Sequence, residues 1–295
     1  MGDFRGEIAA LSTAILWAIA TVIYGKVGIT IPPLLLNAIK GILAIASIGL
    51  TIIIWRGDTA ALPLIPMILL LASGAIGIGL GDTAFFNTLK NLGARRTLLL
   101  ETLAPPLTAV LAAIFLNEQL TLQSWGGIFL TVAGVAWVIT ERSPQGAISA
   151  QNLKTGVIWG LLAELAQATG AVLSRTALMN TSVSPLWSSL LRISAGVAIA
   201  ILLILLQGRQ KQFLQIQWTW RVVGLLIVAA FIGTHLAIWL QQTGLKYAPA
   251  GVAQTLASTS PLFALPLAAL QGDRITPRAL GGVCLAIAGI GLLFR

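Results

Sequence analysis

Long apolar stretches of about twenty residues alternate with short polar breaks along the whole chain. A stretch of this length suits a helix that crosses a bilayer, which needs about 20 mostly apolar residues. The strands of a transmembrane barrel would be about 10 residues long and alternating, so helices are predicted instead. The pattern predicts ten membrane-spanning helices, over residues 8–25, 33–55, 63–89, 97–116, 122–140, 155–174, 185–207, 222–244, 249–270 and 277–294.

The two longest polar breaks cover residues 141–154 and 208–221, and the first falls at the middle of the chain. That position indicates a linker, and the two halves repeat each other. We predict two five-helix repeats, residues 1–143 and 155–295, joined by a linker over 144–154. The residues that match at offsets of 152 to 156 are Pro33 with Pro185, Lys40 with Arg192, Gly77 with Gly233, Lys90 with Lys246, Pro106 with Pro261, Glu118 with Asp273, Gly127 with Gly282 and Gly134 with Gly289.

Each half has five spans, which is an odd number. The second half must therefore enter the membrane from the side opposite to the first. The predicted fold is an all-α integral membrane protein, with two inverted repeats around a central cavity. This architecture lets one protein expose a shared site alternately to the two sides of a membrane.

The composition excludes a large domain outside the membrane. Hydrophobic residues make up 57% of the chain and charged residues only 9%, against roughly a quarter charged in soluble domains. The net charge of +9 could suggest nucleic acid, but no block of like charges exceeds Arg95–Arg96. The basic residues stand singly at span ends, as in membrane anchoring and topology control. No nucleic-acid partner is predicted.

Several kinds of chemistry are excluded by what the chain lacks. A single cysteine, Cys284, allows no intramolecular disulfide, and with the single histidine it excludes the usual His/Cys metal cluster. No G-x-x-x-x-G-K-[ST], G-x-S-x-G or H-E-x-x-H motif occurs. We therefore predict no metal, no cofactor and no enzymatic activity, and energy that comes from a gradient or a partner.

Ionisable residues inside the predicted spans each require a reason, because charge in the hydrocarbon region costs roughly 2.5–3.5 kcal/mol per residue. Each one is a candidate for binding a substrate or a proton. The alternative is a structural role as a counter-ion, a hydrogen-bonding group or a side chain that reaches the membrane surface. These residues are Lys40, Asp82, Glu101, Glu164, Arg192 and His235.

The two glutamates are the candidates for protonation. Glu164 lies near the middle of the sixth span with Gln167 on the same helix face, and no basic residue lies within a turn of it. Glu101 precedes Pro105 and Pro106, which should bend or break the helix and free carbonyl groups beside the carboxylate. A second kink is expected at the matching Pro261.

The remaining candidates are cationic, acidic or aromatic. Lys40 and Arg192 occupy matching places and could bind a substrate carboxylate, while Asp82 and His235 could face the cavity or relay a proton. Aromatic side chains could form cavity walls, or instead an interface belt or lipid-facing packing. The aromatic candidates are Trp17, Tyr24 and Trp239.

The order and duplication of these features are similar to one known family. The features are Trp17, the basic residue of the second span, the junction over residues 244–251, the prolines 106 and 261, and the last helix of each half, with glycines over 126–134 and 281–289. The chain resembles the drug/metabolite transporter superfamily, with two tandem EamA-type domains. The resemblance implies ten helices around a central cavity and export or exchange of small organic solutes, which in the family range over amino acids, nucleobases, sugars and drugs.

The sequence thus predicts a secondary active transporter, an exporter of small organic metabolites such as amino acids or drugs, coupled to protons. It is expected in the cell membrane, the inner or plasma membrane. A monomer suffices to enclose the site. The alternatives are a flippase for a lipid-linked solute and an integral-membrane enzyme that acts on lipid head groups. The family resemblance implies that both chain ends lie in the cytoplasm, whereas the count of Lys and Arg in the loops predicts the opposite orientation.

Overall fold

The computed structural model of the protein describes residues 4–28, 30–55, 62–92, 97, 100–139, 149–263 and 277–294. Every regular element within these ranges is helical. Six of the helices found there are long and apolar enough to cross a membrane, and shorter apolar helices accompany them. The prediction of an all-α membrane protein is therefore confirmed. Residues 144–148 of the predicted linker and 264–270 of the predicted ninth span lie outside the described residues.

Ten helices, six of them long enough to span a membrane, account for most of the described chain. A 3-10 helix, Arg209–Gln215, connects the seventh to the eighth. The ten are α1 (Arg5–Val27), α2 (Pro33–Trp55), α3 (Leu64–Leu92), α4 (Ala104–Leu116), α5 (Leu122–Ile139), α6 (Ala150–Leu178), α7 (Pro185–Leu206), α8 (Trp220–Tyr247), α9 (Ala250–Ala257) and α10 (Pro277–Leu293).

Matching helices of the two halves make reciprocal contacts. Helix α1 packs on α8, and correspondingly α6 packs on α3. Gly233 of α8 lies against Ala20 of α1, while its repeat partner Gly77 of α3 lies against Gly170 of α6. Helices α2 and α7 pack together as well. The two repeats are therefore interlocked, and each contributes walls to a common interior.

Helices α5 and α10 cross at glycines that the repeat places at equivalent positions. A Cβ atom added to Gly127 would lie 3.0 Å from the carbonyl oxygen of Gly289, and one added to Gly134 would lie 2.6 Å from that of Gly282. Small residues of this kind let two helix backbones approach closely in a membrane. The matching G-G-x6-G segments of the two halves thus pack on each other.

Helices α3 and α8 each contain a π-helical segment, Gly74–Gly81 and Ala230–Leu236. The two segments start 156 residues apart, the same offset that relates Gly77 to Gly233. Such segments are rare and occur frequently at functional sites. In both, a distant side chain bonds a main-chain oxygen: Asn37 Nδ2 donates to Ile78 O over 2.9 Å, and Trp17 Nε1 donates to Gly233 O over 3.0 Å.

Candidate functional site

A cavity of about 1320 Å³ opens between the two halves at one membrane face. We call it the mouth face; it is the side on which α1, α3 and α7 end and α2 and α8 begin. Small-molecule sites in proteins are concave and mostly apolar, with volumes of roughly 300–1,000 Å³. This cavity is therefore large enough to hold a small organic solute.

The cavity wall is mainly apolar and aromatic, with a few polar groups. Its aromatic members are Tyr24, Phe86 and Trp159. Thr83 and Asn87 of α3 add hydroxyl and amide groups. The charged side chains among the described lining residues are Lys90, at the end of α3, and Arg209, and no carboxylate occurs among them.

An ion pair lies directly behind this wall. Lys40 Nζ of α2 is 2.6 Å from Asp82 Oδ2 of α3, and the two side chains are 9% and 17% exposed. The same ammonium group lies 5.3 Å from the centre of the Phe86 ring and 5.9 Å from that of Tyr24. Two aromatic rings of the cavity wall therefore rest against a buried cation.

Arg192 of α7 is a second buried cation, 1% exposed. Its Nη1 donates a 3.3 Å hydrogen bond to Gln241 Oε1, whereas its Nε is among the buried polar atoms that have no described partner. A Cβ atom added to Gly77 would lie 3.3 Å from Arg192 Nη2 and 3.6 Å from Gln167 Oε1. Because Gly77 has no side chain, the guanidinium and the amide of Gln167 meet at one point on α3.

Glu164 and Glu101 complete the group of intramembrane charges. Glu164 is 2% exposed and its Oε2 has no described hydrogen-bond partner, while Glu101 is half-buried. The two carboxyl groups are close enough for electrostatic repulsion, and Asp82 interacts in turn with Glu101 and Arg192. We call these five residues the inner cluster: Lys40, Asp82, Glu101, Glu164 and Arg192.

Two of the other predicted residues lie in a separate place. His235 Nδ1 is 3.0 Å from Ser47 Oγ of α2, and its ring packs edge-on against Phe231 at 5.1 Å. Trp239 packs against Trp55 with ring centres 5.7 Å apart. Neither belongs to the described cavity lining. The structure therefore does not bring this pair together with the inner cluster.

The two aromatic candidates of α1 hold helices together. Trp17 is bonded to the main chain of α8 as described above, and Tyr24 Oη lies 3.0 Å from Thr234 Oγ1 of the same helix. Tyr24 also lines the cavity, whereas Trp17 is not among its described lining residues. Tyr24 is thus the predicted residue that reaches both the α1–α8 contact and the cavity.

The helix breaks fall at the prolines that the sequence singled out. Turns at residues 102–103 precede α4, which begins at Ala104 with Pro105 and Pro106 in its first turn. The predicted fourth span therefore does not run as one helix from residue 97. Turns at Ser258 and Thr259 likewise follow α9 and precede Pro261. The chain beside Glu101 is therefore a turn, in which the N–H of Leu103 donates to the carbonyl of Leu100 over 2.9 Å.

At the face opposite the mouth, where α1 begins and α10 ends, Arg175 of α6 connects several helices through hydrogen bonds. Its Nε donates to Glu118 Oε1 at 2.6 Å, and its Nη1 donates to the carbonyls of Leu245 and Lys246 at 3.0 and 2.8 Å. Glu118 Oε2 accepts the main-chain N–H of Ala250 at the start of α9, over 2.9 Å. We call Arg175, Glu118 and these hydrogen bonds the terminal-face tie. It joins the first repeat to three helices of the second.

Sequence reasoning missed both the tie and the π segments. The repeat pattern marked Glu118 as an acid matched by Asp273, which lies outside the described residues, but it gave no role. Nothing in the sequence pairs Arg175 with Glu118, because 57 residues separate them. The glycine run over residues 74–81 was the available signal for the first π segment.

Removing one partner of the Lys40–Asp82 pair should destabilise the protein. We expect Lys40→Met to cost roughly 2–3 kcal/mol, because Asp82 would remain as an uncompensated charge in a mostly buried site. The double variant K40M/D82N should recover much of the loss. The midpoint of thermal unfolding of the purified protein in detergent measures both. If the loss in the double variant equals the sum of the losses in K40M and in D82N, the two side chains do not stabilise each other.

Comparison with known proteins identifies the relatives of this chain. The EamA-like transporter family matches residues 4–140 and, a second time, residues 154–295. A Bacillus subtilis (strain 168) protein named as an uncharacterized transporter, YvbV, is 30% identical over 147 residues. That alignment spans 48% of this chain and 47% of the relative. One protein of known crystal structure matches with a TM-score of 0.78 over 99% of this chain and 96% of its own, at 16% identity, which shows the fold alone.

Proposed function

Because the chain belongs to the EamA-like transporter family, with two tandem copies of its domain, we propose that it is a secondary active transporter that exports small organic metabolites by alternating access. The chain is a multi-pass membrane protein, and we place it in the plasma membrane. Members of this family are generally not enzymes, and the proposal includes no catalytic step. A monomer encloses the proposed site.

The observation that carries the proposal is the asymmetry between the two faces. The cavity opens at the mouth face, while the terminal-face tie joins the halves at the other side. A transporter built from inverted repeats works by moving one repeat against the other around a site that both share. The arrangement therefore corresponds to one end state of such a cycle.

Proton coupling is proposed to involve Glu164 and Glu101. Glu164 is almost fully buried and one of its oxygens has no described partner. Its neighbour Glu101 carries the same charge when ionised, and a proton bound by the pair removes that repulsion. Intramembrane acids of this kind mark proton relays in pumps and transporters. Lys40 and Arg192, the two cations of the inner cluster, are proposed to recognise charge on the solute.

Replacing Glu164 by glutamine should slow the proton movement that accompanies transport. The test uses proteoliposomes with a trapped pH-sensitive dye, to which amino acids, nucleobases and aromatic acids or amines are added in turn. We expect one solute class to change the internal pH in the wild-type protein and E164Q to slow that response at least tenfold. The matched control is Glu7→Gln, an acid at the start of α1 outside the inner cluster.

Other outcomes of the same test distinguish proton coupling, transport of a soluble solute and the role of Glu164. Solute exchange without any pH change in the wild-type protein would show that transport is not proton-coupled and that Glu164 is a counter-ion. If no soluble solute moves while a lipid-linked solute crosses the bilayer, the protein is a flippase. An equal response in E164Q and wild type would remove Glu164 from the coupling mechanism.

A further inference from the structure

Among the described residues, the basic side chains outside the inner cluster are concentrated at the mouth face. By the order of the helices, the described loops and helix ends on that side carry seven Lys and Arg residues and, outside the inner cluster, no acid. These basic residues are Lys26, Lys90, Lys154, Arg209, Lys211, Arg221 and Arg278.

Membrane topology alone explains why basic residues gather on one face. It does not explain why two of them line the cavity. Lys90 comes from the first repeat and Arg209 from the second, so both halves contribute a cation to the described lining. A charged entrance with apolar walls focuses the electric field and raises the local concentration of ions of the opposite sign.

The acids near the cavity are turned away from it or neutralised. Asp82 is paired with Lys40 behind the wall. Glu164 lies between Leu162 and Leu165 in sequence, and both leucines line the cavity, yet Glu164 itself is 2% exposed and absent from the described lining. Helix α6 therefore presents an apolar surface to the cavity and its carboxylate to the interior. A cationic solute would find no described counter-ion on the wall.

We propose that the transported solute is an organic anion, a carboxylate on an aromatic or large apolar body. This inference rests on the proposed transport function and narrows its substrate class. Lys90 and Arg209 attract and hold the carboxylate, and the apolar wall takes the rest of the molecule. That wall includes Leu80, Phe86, Trp159, Leu162, Leu165 and Leu203.

A further cation, Lys40, lies behind the wall of the cavity. Lys40 rests against Phe86 and Tyr24, two rings that line the cavity. A carboxylate that displaced one of these rings would reach a buried ammonium group now held by Asp82. The solute would thereby pass from cations at the mouth to the inner cluster, where the proton-binding acids lie.

Three probes with the same phenyl group and three-carbon chain test the inference: 3-phenylpropanoate, which is an anion, 3-phenylpropanamide, which is neutral, and 3-phenylpropylamine, which is a cation. Binding to the purified protein in neutral detergent is measured by isothermal titration calorimetry. We expect the acid to bind at least tenfold more tightly than the amide or the amine, equivalent to about 1.4 kcal/mol. The double variant K90Q/R209Q should lose roughly that factor for the acid and leave binding of the amide unchanged.

Lys26→Gln and Arg221→Gln are the matched controls, since both residues are exposed cations of the mouth face outside the described lining. Both variants should bind the acid within about twofold of wild type. An equal loss in these controls would show that the potential of the whole face, and not the two cavity cations, attracts the anion, and would overturn the site. Tighter binding of the amine than of the acid would overturn the substrate class.

The same three probes in proteoliposomes distinguish this inference from the proposed function. Transport of the amine or the amide, but not the acid, would leave transport intact and refute the anion preference. If the acid binds with the expected dependence on Lys90 and Arg209 but none of the probes is moved, the anion site stands and the transport function fails. If vesicles that contain phosphatidylglycerol engage the two cations and the soluble acid does not bind, the occupant is a lipid headgroup and the inference is wrong.

Discussion

Replacing Gly74 by valine is expected to leave no folded protein. Gly74 lies in the π segment of α3, and a Cβ atom there would meet the main chain of Arg192, overlapping its carbonyl oxygen and lying 2.5 Å from its Cα. The contacted atoms belong to the backbone of α7, which cannot shift as a side chain could. The yield of monodisperse protein on size-exclusion chromatography should fall close to zero.

Gly49→Val provides the matched control for this prediction. Gly49 lies inside α2, and an added Cβ atom would meet nothing within 4 Å. Because valine is not a worse helix former than glycine, G49V should be purified in wild-type amounts. Normal yield and melting of G74V would show that α3 and α7 are further apart than described, and would also question the position of Arg192 at the inner cluster.

Replacing Arg175 by methionine should both destabilise the protein and open its terminal face. The guanidinium donates hydrogen bonds to the carbonyls of Leu245 and Lys246 and to Glu118. Its distance to Glu118 Oε1 is 2.6 Å, and both side chains are 12% exposed. Loss of one partner of such a pair costs roughly 3–5 kcal/mol, because the remaining charge is left uncompensated. The midpoint of thermal unfolding measures the first effect.

Opening of the terminal face can be measured by the labelling rate of a cysteine placed at Ala253, in a variant where Cys284 is replaced by serine. Ala253 is 3% exposed in α9, whose first N–H group is held by Glu118. We expect R175M to raise the labelling rate at least tenfold. Arg221→Met, which removes an exposed cation that stacks on Trp220, should change neither value. Unchanged labelling in R175M would mean that the tie stabilises the fold without closing the terminal face.

The architecture could be predicted from the sequence because it depends on properties that are local or repeated. About twenty apolar residues in a row give a membrane helix almost regardless of its neighbours. The matched residues of the two halves, Gly127 with Gly282 and Gly134 with Gly289, indicated the repeat, and in the fold these glycines meet each other. An odd number of spans in each half then predicts that the second half is inverted relative to the first.

The sequence predicts the candidate site only as a list of ionisable residues whose placement inside the membrane costs free energy. The cost of intramembrane charge singled out Lys40, Asp82 and Arg192, but not that the first two would pair across 42 residues of sequence. The glycine run of the first π segment is visible in the sequence, but the contact of Gly233 in the second with Ala20 of α1 joins residues far apart in the chain, and local propensity does not encode such a contact. Likewise, the sequence shows that Trp239 is aromatic, but only packing places it against Trp55 and away from the cavity.

The π segments also shift the phase of helices α3 and α8 partway across the bilayer. One extra residue in a turn rotates all that follows by about 100° relative to an uninterrupted α-helix. Before the π segment, residues Leu64–Ser73 of α3 pack on α6 and α7; after it, residues Asp82–Leu92 pack on α6 and α2. One continuous helix thus exchanges α7 for α2 as its second neighbour partway across the membrane, and a helical wheel with a constant 100° step would misplace the residues after the π segment.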